Sequence, residues 1–202
     1  FFDLDRTLWD FEYNSKTTLL ELISQFDLLE KGVSNAQDFI CKYQKNNEKL
    51  WDLYRKEKIT KQELRGKRFL LTLKEYNIND SRLAEDFGLE YIRKSPLKTQ
   101  LFPYTIETLS YLIQKYKLHI ITNGFEEVQQ IKLISSGLMK YFDVIITSEQ
   151  VGVKKPDPKI FHYAVREANT QKENSIMIGD DLLVDVIGAQ KVGMNAIYFN
   201  PK

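Results

Sequence analysis

The sequence predicts an α/β fold: a parallel sheet with helices on both faces, carrying an inserted all-helical cap. Three observations predict it. Short continuous apolar runs alternate with helical patterns over residues 96–202, as in a sheet buried on both sides. One more such run opens the chain at residues 1–4. Between the two, residues 13–95 hold no strand-like run bounded by turn signals and read as helices throughout. The sheet core is therefore expected over 1–12 and 96–202, and the helical cap over 13–95.

The elements follow in order. Residues 1–4 form a short apolar strand. In the cap, Leu19, Leu20, Leu22, Ile23 and Phe26 make one apolar face, and Gly32 stops that helix. Ser34 with Gln37 reads as a capping box before a helix bearing Phe39, Tyr43, Leu50 and Leu53. Thr60 with Glu63 reads as another, before Leu64, Phe69, Leu71 and Leu73. A fourth helix spans about 80–94 and ends before Pro96. Beyond the cap, strands are expected at 118–122, 144–147, 175–178 and 196–199. Helical patterns fall at 105–117, 126–137, 158–168 and 182–192. Asp157 and Pro158 look like an N-cap followed by proline at the first helical position.

Composition narrows the function classes. A chain of 202 residues suits one domain plus an insertion, and 43% hydrophobic residues are enough for a real core. The net charge is +1, from 29 basic and 28 acidic residues. Such a chain has no global basic field, so a nucleic-acid polymer is not its expected partner. The lone Cys41 excludes an intrachain disulfide and a secreted disulfide scaffold, and a cytoplasmic location is the expectation. No apolar run approaches the ~20 residues that span a bilayer, so no membrane partner is expected. The chain opens at Phe1 inside a strand and without a Met, so an upstream segment is expected, with a targeting signal there left open.

The chemistry sits at the strand ends, where open parallel sheets bind ligands. The first strand runs into Asp3-Leu4-Asp5-Arg6-Thr7, the second into Thr122-Asn123-Gly124. Lys154-Lys155-Pro156 follows the third, and the fourth ends in Gly179-Asp180-Asp181 with Asp185 shortly after. Any one of these alone is an ordinary cap, turn or solvated charge. All four in order at successive strand ends are not. Asp3, Asp5 and Asp180 would crowd like charges together unless a cation neutralised them. Carboxylate oxygens suit Mg²⁺, which accepts one or two carboxylates plus substrate phosphate. One carboxylate can then be a nucleophile and a second an acid/base. Thr122 and the backbone N–H groups of Asn123 and Gly124 can hold phosphate oxygens, and Lys155 can neutralise charge in the transition state.

FFDLDRTL (1–8), IITNG (120–124), KKPDPKIF (154–161) and GDDLLVD (179–185) together resemble the four motifs of the haloacid dehalogenase (HAD) superfamily. The resemblance covers the whole chain, and the helical insert lies where that superfamily places its small cap. It implies a Rossmann-like core and an Mg²⁺-dependent phosphatase mechanism. Asp3 would be the nucleophile forming an aspartyl-phosphate. Asp5 would protonate the leaving oxygen and then activate water. The metal would be held by Asp3, the backbone carbonyl of Asp5, Asp180 and Asp185, with Asp181 competing for the last place. Thr122 would bind phosphate. The family's lysine directly precedes proline, which favours Lys155 over Lys154. Arg6 occupies a position where many members have Asp or Gly, and its side chain is expected to point away from the nucleophile.

Asp5 and the Asp180/Asp185 pair are what phosphoryl transfer needs and haloacid dehalogenation does not. A Schiff-base phosphonatase would need a cap lysine, and none of Lys42, Lys45, Lys56 and Lys58 stands out. A receiver-type signalling domain shares the residue set but not the cap or the motif order, and a non-catalytic binding module would normally have lost part of the set. The stretches at 46–69, 148–164 and 179–200 look like the bacterial pyrimidine 5′-nucleotidase branch. The resemblance thus implies a small phosphorylated metabolite as partner, nucleoside monophosphates first, with sugar phosphates or pyrophosphate as the alternative. Trp51, Tyr54, Arg65 and Arg68 are the cap candidates for reading the substrate, with cap core the competing reading of Trp51 and Tyr54. His119 and His162 read as structural.

Overall fold

The computed structural model describes residues 1–201, which divide into two compact units. One comprises Phe1–Glu12 together with the chain from Pro96 onward, the other Tyr13–Ser95.

The first unit is built on parallel strands β1 (His119–Thr122), β2 (Val144–Thr147), β3 (Ile176–Gly179) and β4 (Asn195–Tyr198). β1 pairs with β2 in the register Ile120 to Ile145, and β3 with β4 in the register Ile178 to Ile197. Residues 1–4 lie between the two pairs and join them. Phe2 N–H donates to the His119 carbonyl (2.8 Å), and the Phe2 carbonyl accepts from Ile121 (2.9 Å). On the other side Asp3 N–H donates to Ile178 and Ile178 N–H to Phe1. The strand expected at the start of the chain is thus the middle of the sheet, although it pairs formally through Phe2 alone.

Side chains alternate across this sheet as the pleat requires. Phe1, Ile121 and Met177 enter one apolar cluster with Ile160, Phe161 and Ala164 of α8 (Pro158–Glu167) and Ala189 of α9 (Ile187–Lys191). Phe2, Leu4 and Ile120 enter another with Leu109 of α5 (Thr105–Leu112) and Leu133 of α6 (Glu126–Ser135). Helices thus cover both faces, and the fold is the α/β Rossmann-like one. Asp157 caps α8 by accepting from Lys159 N–H at 2.8 Å, with Pro158 in the first turn.

Two expected helices differ in the structure. The segment at 105–117 leaves the helix after Leu112, whose carbonyl accepts from both Lys115 and Tyr116 in a closing turn. The segment at 182–192 is a π-helical turn, Leu182–Val186, running into α9. Asp181 caps it, its side chain accepting from the N–H groups of Leu183 and Val184 (3.0 Å each), and its carbonyl accepts from both Asp185 N–H (2.9 Å) and Val186 N–H (3.3 Å), the second bond spanning the wider turn.

The second unit is helical: most of α1 (Phe11–Gln25), then α2 (Ala36–Arg55), α3 (Lys61–Lys74) and α4 (Ser81–Lys94). Phe39, Ile40, Tyr43, Phe69, Leu73, Phe87 and Tyr91 form its core with Leu19, Leu22 and Ile23. Fully burying one such side chain contributes about 1.5–3 kcal/mol. Thr60 and Glu63 make the reciprocal capping box at α3, and Asp80 caps α4. The cap of α2 is one residue later than expected. Asn35, not Ser34, accepts from Asp38 N–H (2.8 Å), and Gln37 plays no part in it. Among the described residues no helix is long and apolar enough to cross a membrane.

Candidate active site

The sheet delivers one charged cluster to the carboxyl ends of its strands. Lys155 follows β2 and α7 (Ser148–Val151) and is only 1% exposed. Its Nζ donates to Asp3 Oδ1 and to the Ile121 carbonyl, both at 2.7 Å. Asp185 Oδ1 lies equally close to Nζ as an ion pair. Lys154 is not part of this contact.

Asp3, Asp180 and Asp185 each offer a carboxylate oxygen, and these oxygens lie within 4.8 Å of one another. Three carboxylates face one ammonium. Burial pushes the Asp3 carboxyl up to about 8; Lys155 opposes this and Asp185 and Asp180 add to it. Asp180 is pushed up to about 6, again first by burial and then by Asp185, with Arg6 and Lys155 opposing. Lys155 stays charged despite its burial because Asp185 and Asp3 raise it. Carboxylates raised in this way await a cation. An all-oxygen donor set from three neighbouring carboxylates fits a hard divalent ion such as Mg²⁺.

The π-helical turn separates Asp181 from Asp185. Asp181 is the cap of that turn, while Asp185 turns inward, 1% exposed, and also accepts from Asp181 N–H (3.1 Å). Gly179 makes room for it: a Cβ there would lie 2.3 Å from Asp185 Oδ2.

Asp5 stands apart from the three-carboxylate cluster. Its Oδ2 accepts from Gln129 Nε2 (2.9 Å) and its Oδ1 from Lys132 Nζ (2.5 Å). Neither partner is visible in the motif pattern, because each lies more than a hundred residues from Asp5 on a helix whose local sequence does not say what it faces. Arg6 turns to Glu12, with Nε and Nη2 at 2.9 and 2.7 Å from its Oε1.

Thr122 ends β1, buried, and its Oγ1 accepts from Gly124 N–H (3.0 Å). That N–H, expected to face phosphate, is therefore engaged within the turn. The Asn123 side chain is turned to Lys155. Its Oδ1 accepts from Lys155 N–H (2.8 Å) and its Nδ2 donates to the Lys155 carbonyl (3.0 Å), so it holds the lysine's backbone at two points.

In the helical unit Trp51 and Tyr54 pack edge to face with centroids 5.6 Å apart, and Tyr54 is buried. Arg68 is buried over the rings of Phe69 (5.1 Å) and Tyr91 (4.9 Å); Arg65 is half-buried. His119 is buried beside Phe1 and His162 is exposed on α8; neither reaches the cluster.

A parallel α/β core with a strand-end aspartate salt-bridged to a buried lysine, and further aspartates around both, defines a class of hydrolases. The family model for haloacid dehalogenase-like hydrolases matches residues 1–193, and the chain belongs to that family. It is 34% identical to the pyrimidine 5′-nucleotidase YjjG of Escherichia coli K12 over 99% of this chain and 84% of that protein. It is 32% identical to the pyrimidine 5′-nucleotidase PynA of Streptococcus pneumoniae R6, over 99% and 82% respectively. Among solved structures, the HAD-hydrolase YfnB of Bacillus subtilis, crystallised with magnesium, superposes with a TM-score of 0.89 at 29% identity, covering 100% of this chain and 87% of that one.

Proposed function

We propose that this hydrolase is an Mg²⁺-dependent phosphomonoesterase that works through an aspartyl-phosphate on Asp3 and takes pyrimidine nucleoside monophosphates. The observation that carries the reading is the pairing of two differently partnered aspartates. Asp3 is fixed by Lys155 inside the metal-competent cluster, and Asp5 is held outside it by neutral and cationic donors.

Asp3 Oδ attacks phosphorus as the P–O ester bond breaks, and the leaving oxygen takes a proton from Asp5. Water then attacks the phosphorus of the aspartyl-phosphate. Asp5 takes its proton, the Asp3–phosphorus bond breaks, and inorganic phosphate leaves. Lys155 offsets charge on the transferring group, and Thr122 with the Asn123 backbone orients it. Asn123 acts besides through Lys155, whose backbone it holds. Asp3, Asp180, Asp185 and the Asp5 carbonyl would hold Mg²⁺, which would supply charge neutralisation for the transfer. The substrate class rests on the two nucleotidases that match nearly the whole chain.

The test is phosphate release with Mg²⁺ across nucleoside monophosphates, sugar phosphates and pyrophosphate, with a 2-haloacid as control. Pyrimidine monophosphates are expected to give the highest kcat/KM, the haloacid no turnover, and EDTA to abolish activity. Faster turnover of sugar phosphates or pyrophosphate overturns the substrate assignment. Full activity in EDTA overturns the metal assignment.

A further inference from the structure

We propose that Gln129 and Lys132 are positioning residues for Asp5, and that position 124 is glycine because the Gln129 side chain passes through the space a Cβ would fill. The inference rests on the reading of Asp5 as the group that gives and takes the proton.

Gln129 and Lys132 stand three residues apart on α6 and so share one face. Each binds a different oxygen of the Asp5 carboxylate, at 2.9 and 2.5 Å. The burial is asymmetric. Gln129 is 1% exposed and Lys132 5%, whereas the Asp5 side chain keeps 27%. The donors are the fixed partners and the carboxylate is the group being held. Lys132 is itself located from below: its Nζ sits 4.3 Å from the centroid of Trp9, a fully buried ring whose Nε1 donates to the Lys98 carbonyl. Trp9 closes back on the Asp5 loop, since Arg6 N–H donates to its carbonyl at 2.9 Å.

Gly124 supplies an independent observation. An added Cβ would lie 1.5 Å from Gln129 Nε2 and 2.4 Å from its Cδ. A side chain at 124 thus displaces the amide that reaches Asp5. The turn that follows Thr122 is thereby tied to the orientation of a carboxylate at the end of a different strand.

Gln129 and Lys132 contact the Asp5 carboxylate and have no part in bonding to phosphorus or to the leaving oxygen in this reading. They act by keeping one rotamer of Asp5, so that the oxygen releasing the proton to the leaving group also receives the proton from water. A misplacement of about 1 Å in such a group costs on the order of 10²-fold in rate. The cost falls where the leaving oxygen needs a proton and is small where it does not.

The experiment compares kcat/KM, which reports the first phosphoryl transfer, for a nucleoside monophosphate and for dinitrophenyl phosphate, both with Mg²⁺. Gln129→Leu, the milder Gln129→Asn and Lys132→Met are measured beside Asp5→Asn and wild type. The Gln129 and Lys132 variants are expected to lose on the order of 10²-fold on the nucleotide with little change in KM, and less than about threefold on the activated ester. Lys132→Arg, which keeps a cation over Trp9, is expected to recover most of the loss. Equal losses on both esters, or none on either, overturn the positioning role. If Asp5→Asn itself shows no leaving-group dependence, the proton-transfer reading of Asp5 falls, and this inference with it. A steep Asp5→Asn beside flat Gln129 and Lys132 variants removes this inference alone.

Discussion

Lys155 is surrounded by three oxygens and almost no solvent. Replacing it by Met leaves Asp3 and Asp185 buried without their cation, a situation that costs about 3–5 kcal/mol. Lys155→Met is therefore expected to lower the melting temperature sharply in EDTA, to recover part of it in Mg²⁺, and to be inactive in both. An unchanged melting temperature would mean that the ion pairs add nothing to the fold. Asp3→Asn has the opposite signature. The amide removes one of three crowded carboxylates, so stability is expected to hold or rise while turnover disappears, read by calorimetry and phosphate release. Retention of more than a few per cent of wild-type turnover would sink the covalent mechanism.

The element that shapes the cluster is the end of β3 with the π-helical turn after it. Gly179→Ala places a Cβ 2.3 Å from Asp185 Oδ2, so the carboxylate must move. We expect this variant to bind Mg²⁺ more weakly, measured by titration calorimetry; unaltered affinity would separate Asp185 from the metal. Helix caps give a second test. Asn35→Ala is expected to cost about 1 kcal/mol in denaturant unfolding and Ser34→Ala a small fraction of that. The reverse order would reinstate the Ser34 cap. These cases show what was legible in the sequence. The Thr60 and Asp157 caps were readable because donor and acceptor lie within three residues. At Ser34 and Asn35 two capping residues are adjacent, and only the backbone geometry chooses between them. The strand ends were readable because polar residues break continuous apolar runs. Gln129 and Lys132 were not, because a helix pattern shows that a face is buried without showing which carboxylate it meets. The π turn was not either, since an apolar pattern at 182–192 reads as a helix whether its backbone bonds span four residues or five.

At the scale of the whole molecule, the cluster couples stability to pH. Asp3 and Asp180 bind protons more tightly in the fold, at about 8 and about 6, than at the ordinary carboxylate value of 3.8. Both shifts are upward, so the metal-free folded state holds protons that the unfolded chain has released. The stabilising contribution is complete below about pH 4 and is lost as pH rises toward about 8. Lys155 titrates above this window and does not offset the loss. The melting temperature in EDTA is expected to fall as pH rises from about 5 to about 8, and saturating Mg²⁺ to flatten the fall. Mg²⁺ affinity should increase across the same range because the ion displaces those protons. A metal-free melting temperature that rises with pH would show that the carboxylates are ionised in the fold.

The strand that carries Asp3 precedes β1–β4 in the chain and lies between their two pairs. Its partners are Ile120 and Ile178, so the second lies 176 residues beyond Phe2. At about 5–20 residues per second, roughly ten to thirty-five seconds of translation separate the two. For that time the strand lacks its partner on the β3 side, although Ile120 and the residues of the helical unit are made earlier. The Asp3 strand thus keeps one open edge, available to chaperones and to neighbouring chains, until β3 is made, and the carboxylate cluster closes only once Asp185 has followed it.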